Sequence, residues 1–162
     1  MDVATNSSPD EQSEFNTTHT RALQAINSRP HTEHEMVQKF KRWRVDAVVG
    51  DNVLQFLKEE GLINDAQYAS QWLDIRVASQ PCGPRYARLK LMQRGIKSAV
   101  IDDALRAFYE QHSEKSICEA ALAKFKRTHR GENSFDKTAS YLARRGFSGD
   151  VIYTVLKKDS NE

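Results

Sequence analysis

The residues most suggestive of metal chemistry are two histidines, His31 and His34, which lie three positions apart beside glutamates. Imidazole and carboxylate groups are common zinc ligands, and residues three apart on a helix share a face. A zincin helix, however, needs a histidine four positions after the first, and the fourth residue after His34 is Gln38. Thr32 and Glu35 instead form the Thr-x-x-Glu pattern of a capping box. We therefore expect a helix start here and no metal site.

The thiols offer no better reaction centre. The two cysteines, Cys82 and Cys118, form no C-x-x-C pair, which argues against a disulfide framework and a thiolate zinc site. We interpret Cys82 as a chance thiol in a loop and Cys118 as a core residue on an apolar helical face. The sequence also lacks a G-x-x-x-x-G-K-[ST] or G-x-G-x-x-G loop and a G-x-S-x-G elbow. We therefore expect a protein that is not an enzyme and has no cofactor.

The remaining chemistry is cationic. The formal net charge is +2, but residues 1–19 contain four acids and no Lys or Arg, so the rest of the chain carries +6. Such an excess suits a polyanion or an acidic protein surface. The candidate binding residues are Lys41, Arg42, Arg76, Arg85, Arg88, Lys90, Arg94, Lys97, Lys124, Lys126, Arg127, Arg144 and Arg145.

Some of these cations have a purely structural explanation. Arg42, Arg94 and the pair Arg144–Arg145 fall at the C-terminal ends of predicted helices, where the helix dipole favours positive charge without any ligand. Arg85 and Arg88 instead follow a helix start, where cations are disfavoured, and share one face. This helix is the second of its predicted three-helix unit, and the arrangement is similar to the recognition helix of a helix-turn-helix protein. The basic segment around them is therefore the strongest candidate interface.

The elements that position these cations follow a repeat of 51 residues. Four apolar columns keep this spacing through three copies, and a basic turn precedes the second column each time. The columns are Phe40, Leu91 and Leu142; Val45, Ile96 and Phe147; Val49, Val100 and Val151; and Leu54, Leu105 and Leu156. In the basic turn, Trp43 takes the place of Gly95 and Gly146. A period of about this length is typical of tandem structural repeats.

Each copy is predicted to fold as three helices. The capping box, Asp65 as an N-cap, and Gly83-Pro84 indicate helix starts, because proline suits the first helical turn. Gly61 and Gly95 mark helix ends. The helix after Asp65 carries an apolar stripe at helical spacing, formed by Tyr68, Ala69, Trp72, Leu73 and Ile75.

These elements predict an all-α fold of three tandem three-helix, helix-turn-helix-like repeats. We place the repeats at residues 19–66, 67–112 and 113–158. Residues 1–18 are acidic and rich in Ser, Thr and Asn, and we expect them to be a disordered tail. A unit of this size has a thin core, so neighbouring units must bury each other's sides. Stacking of that kind predicts an elongated, curved array.

The sequence gives no sign of a membrane or an export route. It contains no run of 18 apolar residues, and the first twenty residues lack the basic start and apolar centre of a secretory signal. Free cysteines also suit a reducing compartment. We therefore expect a cytoplasmic protein.

The sequence resembles the RecX family over about residues 20–158. The resemblance is carried by Gly-Leu-Ile-Asn-Asp at 61–65, by Tyr68-Ala69 and Arg76, and by Gly83-Pro84 leading to Leu91 and Gly95-Ile96. The middle repeat is the most similar and the third the least. The sequence departs from the family at three positions, where it has Cys82, Ala87 and Lys90.

The resemblance implies a regulator of homologous recombination and DNA repair with a link to the SOS response. Such a protein binds in the groove of the RecA–single-stranded DNA filament and mainly inhibits the recombinase, ATPase and co-protease activities of RecA. The implied partners are RecA and single-stranded DNA, with double-stranded DNA as a further candidate, and the expected state is a monomer. The alternative is a tandem helix-turn-helix-like module that acts on DNA directly. Sequence-specific duplex binding without RecA would distinguish it.

Overall fold

A computed structural model describes residues 9–129 and 134–159. These residues form helices and connecting turns and no strand, which confirms the predicted all-α class. The helices are α1 (Pro9–Ser28), α2 (Glu33–Trp43), α3 (Ala47–Glu59), α4 (Asp65–Ser79), α5 (Pro84–Gln93), α6 (Ser98–Gln111), α7 (Glu114–Thr128), α8 (Phe135–Arg144) and α9 (Gly149–Asp159). The chain divides into two compact units, one up to Tyr68 and one from Ala69.

The helix starts confirm the tandem repeat. Helices α2, α5 and α8 begin at residues 33, 84 and 135, and helices α3, α6 and α9 begin at residues 47, 98 and 149. Each start therefore recurs after 51 residues. The preceding N-cap residues, Thr32, Gly83 and Ser134, keep the same spacing. Because capping is independent of the apolar columns, the two patterns support one another.

The turn after the second helix of each repeat contains a residue in the left-handed region. Arg44, Gly95 and Gly146 have φ angles of 58°, 77° and 84°, and they too are 51 residues apart. The prediction that Trp43 takes the glycine position is therefore wrong by one residue. Trp43 is instead the last residue of α2, where it is half-buried and packs against Phe40 with ring centroids 6.0 Å apart. Arginine in this conformation is strained, because its Cβ crowds the following carbonyl oxygen.

Two of the predicted helix caps can be checked in atomic detail. The capping box is confirmed, since the Thr32 hydroxyl accepts from the Glu35 amide at 3.1 Å and the Glu35 carboxylate accepts from the Thr32 amide at 3.3 Å. The assignment of Asp65 as an N-cap is wrong. Asn64 caps α4, accepting from the Gln67 amide at 3.0 Å. Residue 65 already lies in the helix.

Helix α1 starts earlier than expected. It begins at Pro9, its Thr18 is 3% exposed, and Phe15 packs against the core of the first unit. The expectation of a disordered tail is therefore wrong for residues 9–18, and residues 1–8 lie outside the described part of the chain. Phe15, Thr18 and Ala22 follow helical spacing, so a narrow inward stripe is hidden within a polar composition.

The core of the second unit contains most of the predicted anchors. Leu91 and Leu142 are fully buried, and Phe147 is 2% exposed. In the stripe predicted for α4, Leu73 is fully buried, but Ile75 is 71% exposed and does not belong to the core. Helix α5 packs on α6, and α7 packs on α8 and α9. The buried anchors thus fix the helices that hold the basic residues.

Candidate nucleic-acid and protein interface

A backbone contact joins the second and third repeats inside the second unit. The Gly83 amide donates to the Arg145 carbonyl at 2.9 Å, and the Arg85 amide donates to the Gly146 carbonyl at 3.2 Å. A Cβ atom on Gly83 would lie 2.4 Å from the Gly146 carbonyl oxygen, and one on Gly146 would lie 2.2 Å from the Tyr86 amide nitrogen. Only glycine permits this approach. The contact also gives partners to amides at the start of α5 that a helix leaves unsatisfied.

This joint brings a cation of the third repeat to an aromatic ring of the second. The Arg145 guanidinium lies 4.9 Å from the centroid of the Tyr86 ring. It is held there by hydrogen bonds to the carbonyl oxygens of Gln80 at 2.7 Å and Pro81 at 2.8 Å. Arg145 is thus oriented by backbone groups and not by a carboxylate.

Two further cations approach the same ring. The Arg76 guanidinium donates to the Tyr86 hydroxyl at 2.6 Å and lies 5.4 Å from the ring centroid. The Lys90 ammonium lies 5.5 Å from the centroid and donates to the Gln93 side chain at 3.2 Å. Cations at such distances are attracted by the ring quadrupole. We call Arg76, Tyr86, Lys90 and Arg145 the Tyr86 cluster.

The Tyr86 cluster has an excess of positive charge. Within the described ranges, none of its three cations forms a salt bridge with a carboxylate. The Nε atom of Arg76 is buried and has no hydrogen-bond partner there. Charged donors that have no carboxylate partner bind phosphate oxygens strongly. The cluster is therefore suited to an anion such as a phosphate.

A second surface, on helix α5, combines exposed apolar side chains with cations. Leu89 is 52% exposed and Met92 is 54% exposed. Arg85 and Arg88 precede them at helical spacing, so the four side chains share one face of α5. We call these residues the α5 face. Arg88 is anchored there by an ion pair with Asp102 of α6. Exposed apolar side chains bordered by cations are typical of surfaces that contact another protein.

The structure does not gather all the predicted cations at these two surfaces. In the third repeat, Lys124 donates to the Ser79 carbonyl at 2.8 Å and Lys126 pairs with Asp159, so both have structural partners. Arg127 is exposed on α7, and Arg144 lines a groove between α7 and α8.

The remaining candidates lie at helix ends. Lys41 and Arg42 are exposed in the last turn of α2, in the first unit, where the Arg42 Nε atom donates to the Gln38 carbonyl at 3.3 Å. Arg94 and Lys97 are exposed at the end of α5 and just before α6. The helix dipole accounts for Arg42 and Arg94 without a ligand, as expected.

The geometry gives no sign of a nucleophile or a metal site in the described residues. Burial raises the pKa of the Cys82 thiol and raises that of Cys118 to about 12, so both thiols are protonated at neutral pH. Burial also lowers the pKa of His31, whose Nδ1 atom lies 2.9 Å from the Arg29 carbonyl oxygen. No group of three or more metal-ligating side chains is found in residues 9–129 and 134–159.

Comparison with known proteins shows which proteins this chain is similar to. A family model described as "RecX, second three-helix domain" matches residues 64–105. "Regulatory protein RecX" of Streptococcus agalactiae is 26% identical over 135 residues, which cover 83% of this chain and 52% of that protein. "Regulatory protein RecX" of Chlorobium phaeobacteroides is 28% identical over 137 residues, which cover 83% of this chain and 88% of that protein.

The chain is similar to RecX-family proteins over most of its length. It spans about half the length of the streptococcal relatives and most of the length of the Chlorobium relative. The crystal structure of RecX from Lactobacillus salivarius has a TM-score of 0.82 at 20% identity, over 93% of this chain and 99% of that one. A second crystal structure of regulatory protein RecX has a TM-score of 0.78 at 24% identity, over 91% and 74%. These two likenesses show a common fold.

The family match clarifies which parts of the site are local to one repeat. The segment that matches the family model contains Arg76, Tyr86 and Lys90, and also the whole α5 face. Arg145 lies outside it and reaches the cluster only through the joint. The Tyr86 cluster is therefore a product of two adjacent repeats.

Three residues of the site were not predicted from the sequence. Tyr86 was not singled out, although it stands between Ala87 and Arg85 directly after a helix start. Leu89 and Met92 are likewise absent from the residues predicted to bind a partner. Their spacing relative to buried Ala87 and Leu91 does indicate an outward direction, because adjacent helical positions point to different faces.

No helix within residues 9–129 and 134–159 of the chain is both long and apolar enough to cross a membrane.

Proposed function

We propose that this protein binds the RecA–single-stranded DNA filament and inhibits the recombinase, ATPase and co-protease activities of RecA, without catalysis of its own. The observation that supports this proposal is the pairing of two surfaces on α5 and its neighbours. One is the Tyr86 cluster, which offers cations to an anion, and the other is the α5 face, which offers Leu89 and Met92 to an apolar surface.

A nucleoprotein filament combines the two chemistries that these surfaces would recognise. Phosphates of the DNA supply the anionic acceptors for the cluster. A folded protein supplies the apolar area that would cover Leu89 and Met92, whereas naked DNA offers little such area. Similarity to regulatory proteins called RecX supports RecA as that protein. We include in the proposal a cytoplasmic monomer and repeats at 19–66, 67–112 and 113–158, with the first extended back to Pro9.

The geometry of α5 counts against the alternative of a helix-turn-helix module acting on duplex DNA. In such modules, residues at the N-terminal end of the recognition helix contact base edges in the major groove. Here the Gly146 turn covers that end of α5, because the Arg85 amide donates to the Gly146 carbonyl. The Arg85 side chain is still exposed and can contact a phosphate or an acidic side chain.

The proposal is tested by the RecA ATPase on single-stranded DNA, with and without the full chain. Replacing both Leu89 and Met92 with serine should weaken inhibition about tenfold or more, because buried apolar anchors at an interface each contribute about 1 kcal/mol or more. Val48→Ser is the matched control, since Val48 is 65% exposed in the first unit. Circular dichroism should show unchanged helicity in all variants. Full inhibition by the double variant would refute the role of the α5 face.

A further inference from the structure

Helices α7 and α8 hold a stack of three aromatic rings that the Tyr86 cluster and the α5 face do not use. The Phe125 ring lies 4.2 Å from His129 and 4.4 Å from Tyr141, centroid to centroid, with interplanar angles of 23° and 29°. Both rings are nearly parallel to the Phe125 ring and too close to share one of its faces. His129 and Tyr141 therefore lie on opposite faces of Phe125. Phe125 is 8% exposed, whereas His129 is exposed.

The stack borders an open groove with a volume of about 470 Å³. Lys137 and Arg144 of α8 line this groove, and neither forms a salt bridge within the described ranges. Asp136 and Ser140 also line it and bring one carboxylate and one hydroxyl. The groove therefore combines an exposed aromatic face with two cations and two hydrogen-bonding groups. We call it the α7–α8 groove.

Helix capping explains part of this arrangement but not all of it. The His129 Nδ1 atom lies 3.1 Å from the Phe125 carbonyl oxygen, so the histidine closes the end of α7. His112 closes the end of α6 in the same way. Its Nδ1 atom lies 3.0 Å from the Phe108 carbonyl oxygen, and the two ring centroids are 4.4 Å apart. The surface groove beside His112, however, is lined by no charged residue. A third ring, Tyr109, also contacts Phe108, but it meets that ring edge-on at 5.2 Å. The stack of three nearly parallel rings and the neighbouring cations are thus particular to His129.

We propose that the α7–α8 groove binds an unpaired nucleotide of single-stranded DNA, with the base stacked on His129 and the phosphate held by Lys137 and Arg144. Bases stack on aromatic side chains whatever their sequence, while cations follow the backbone. Asp136 and Ser140 can accept or donate hydrogen bonds at the base edge. A duplex would not fit, because its bases are stacked on one another. The inference rests on the proposed function only in taking DNA as a ligand, and it needs no RecA.

The test is equilibrium binding of the full chain to fluorescent oligothymidylate, followed by anisotropy at low salt, with an abasic oligomer of equal length as a second ligand. His129→Ala should weaken oligothymidylate binding about tenfold, which is the usual effect of removing one stacking residue. It should leave binding to the abasic oligomer unchanged. His112→Ala is the matched control and should bind both oligomers as the parent does. Replacing Lys137 and Arg144 with glutamine should weaken binding to both.

A second variant separates stacking from capping. His129→Phe keeps an aromatic ring but loses the cap, so it should retain most of the oligothymidylate affinity that His129→Ala loses. The inference is overturned if His129→Ala binds oligothymidylate like the parent. It is equally overturned if a folded His129→Phe binds as poorly as His129→Ala, or if His112→Ala shows the same loss. Because RecA is absent, such a failure leaves the ATPase result untouched, and the two conclusions can fall separately.

Discussion

At the scale of single residues, Arg44 stands in a backbone conformation that its counterparts Gly95 and Gly146 adopt without strain. Its φ of 58° is the one left-handed angle of a non-glycine residue within residues 9–129 and 134–159. We expect Arg44→Gly to raise the free energy of unfolding by about 1 kcal/mol, because glycine has no Cβ to crowd the backbone. Urea denaturation followed by circular dichroism would measure this gain.

Arg94 provides the control for that substitution. It also ends a second helix and is exposed, but its φ is −84°, a right-handed value that any residue adopts. Arg94→Gly should therefore bring no gain and should cost up to about 1 kcal/mol through the added freedom of the unfolded chain. A loss of stability in Arg44→Gly would mean that the arginine side chain makes a contact whose benefit exceeds the strain.

At the scale of helices and turns, the joint between the start of α5 and the α8–α9 turn is the decisive contact. Gly146→Ala would place a Cβ 2.2 Å from the Tyr86 amide nitrogen at a φ of 84°. We expect a loss of about 2 kcal/mol or more in the free energy of unfolding, because backbone must move to make room. Gly149→Ala is the control, since nothing lies within 4 Å of its added Cβ. Thermal unfolding of both variants would show whether the two substitutions differ as expected.

The helices and their ends were predictable because local rules determine them. Caps and glycine ends act within a few residues of sequence, and they predicted the starts of α2 and α5 correctly and that of α4 to within one residue. The Tyr86 cluster was not predictable, because Arg76, Tyr86 and Arg145 come from α4, α5 and the turn after α8, and Arg145 reaches the ring only through the joint. The start of α1 was missed for another reason. Its inward stripe, including Phe15 and Thr18, is narrow, and the polar composition around it suggested disorder.

At the scale of the whole molecule, charge is distributed unevenly along the chain. Residues 1–19 hold no Lys or Arg, and the remainder carries a net +6. Several of the cations nevertheless have carboxylate partners, as Arg88 and Lys126 do. The net charge alone therefore overstates the number of cations that can bind a polyanion. We expect the cations that have no carboxylate partner, such as those of the Tyr86 cluster, to release counterions from DNA when they bind it.

That distinction predicts how binding to RecA-coated single-stranded DNA depends on salt. Lys90→Gln removes one cation of the Tyr86 cluster, and it should reduce the slope of log affinity against log salt concentration by about 1, as for one lost phosphate contact. Lys115→Gln removes an equal charge from an exposed position on α7 and should leave the slope unchanged. Equal slopes for Lys90→Gln and the parent chain would place the cluster away from the DNA. The α5 face would then have to account for filament binding through protein contacts alone, since apolar burial depends little on salt screening.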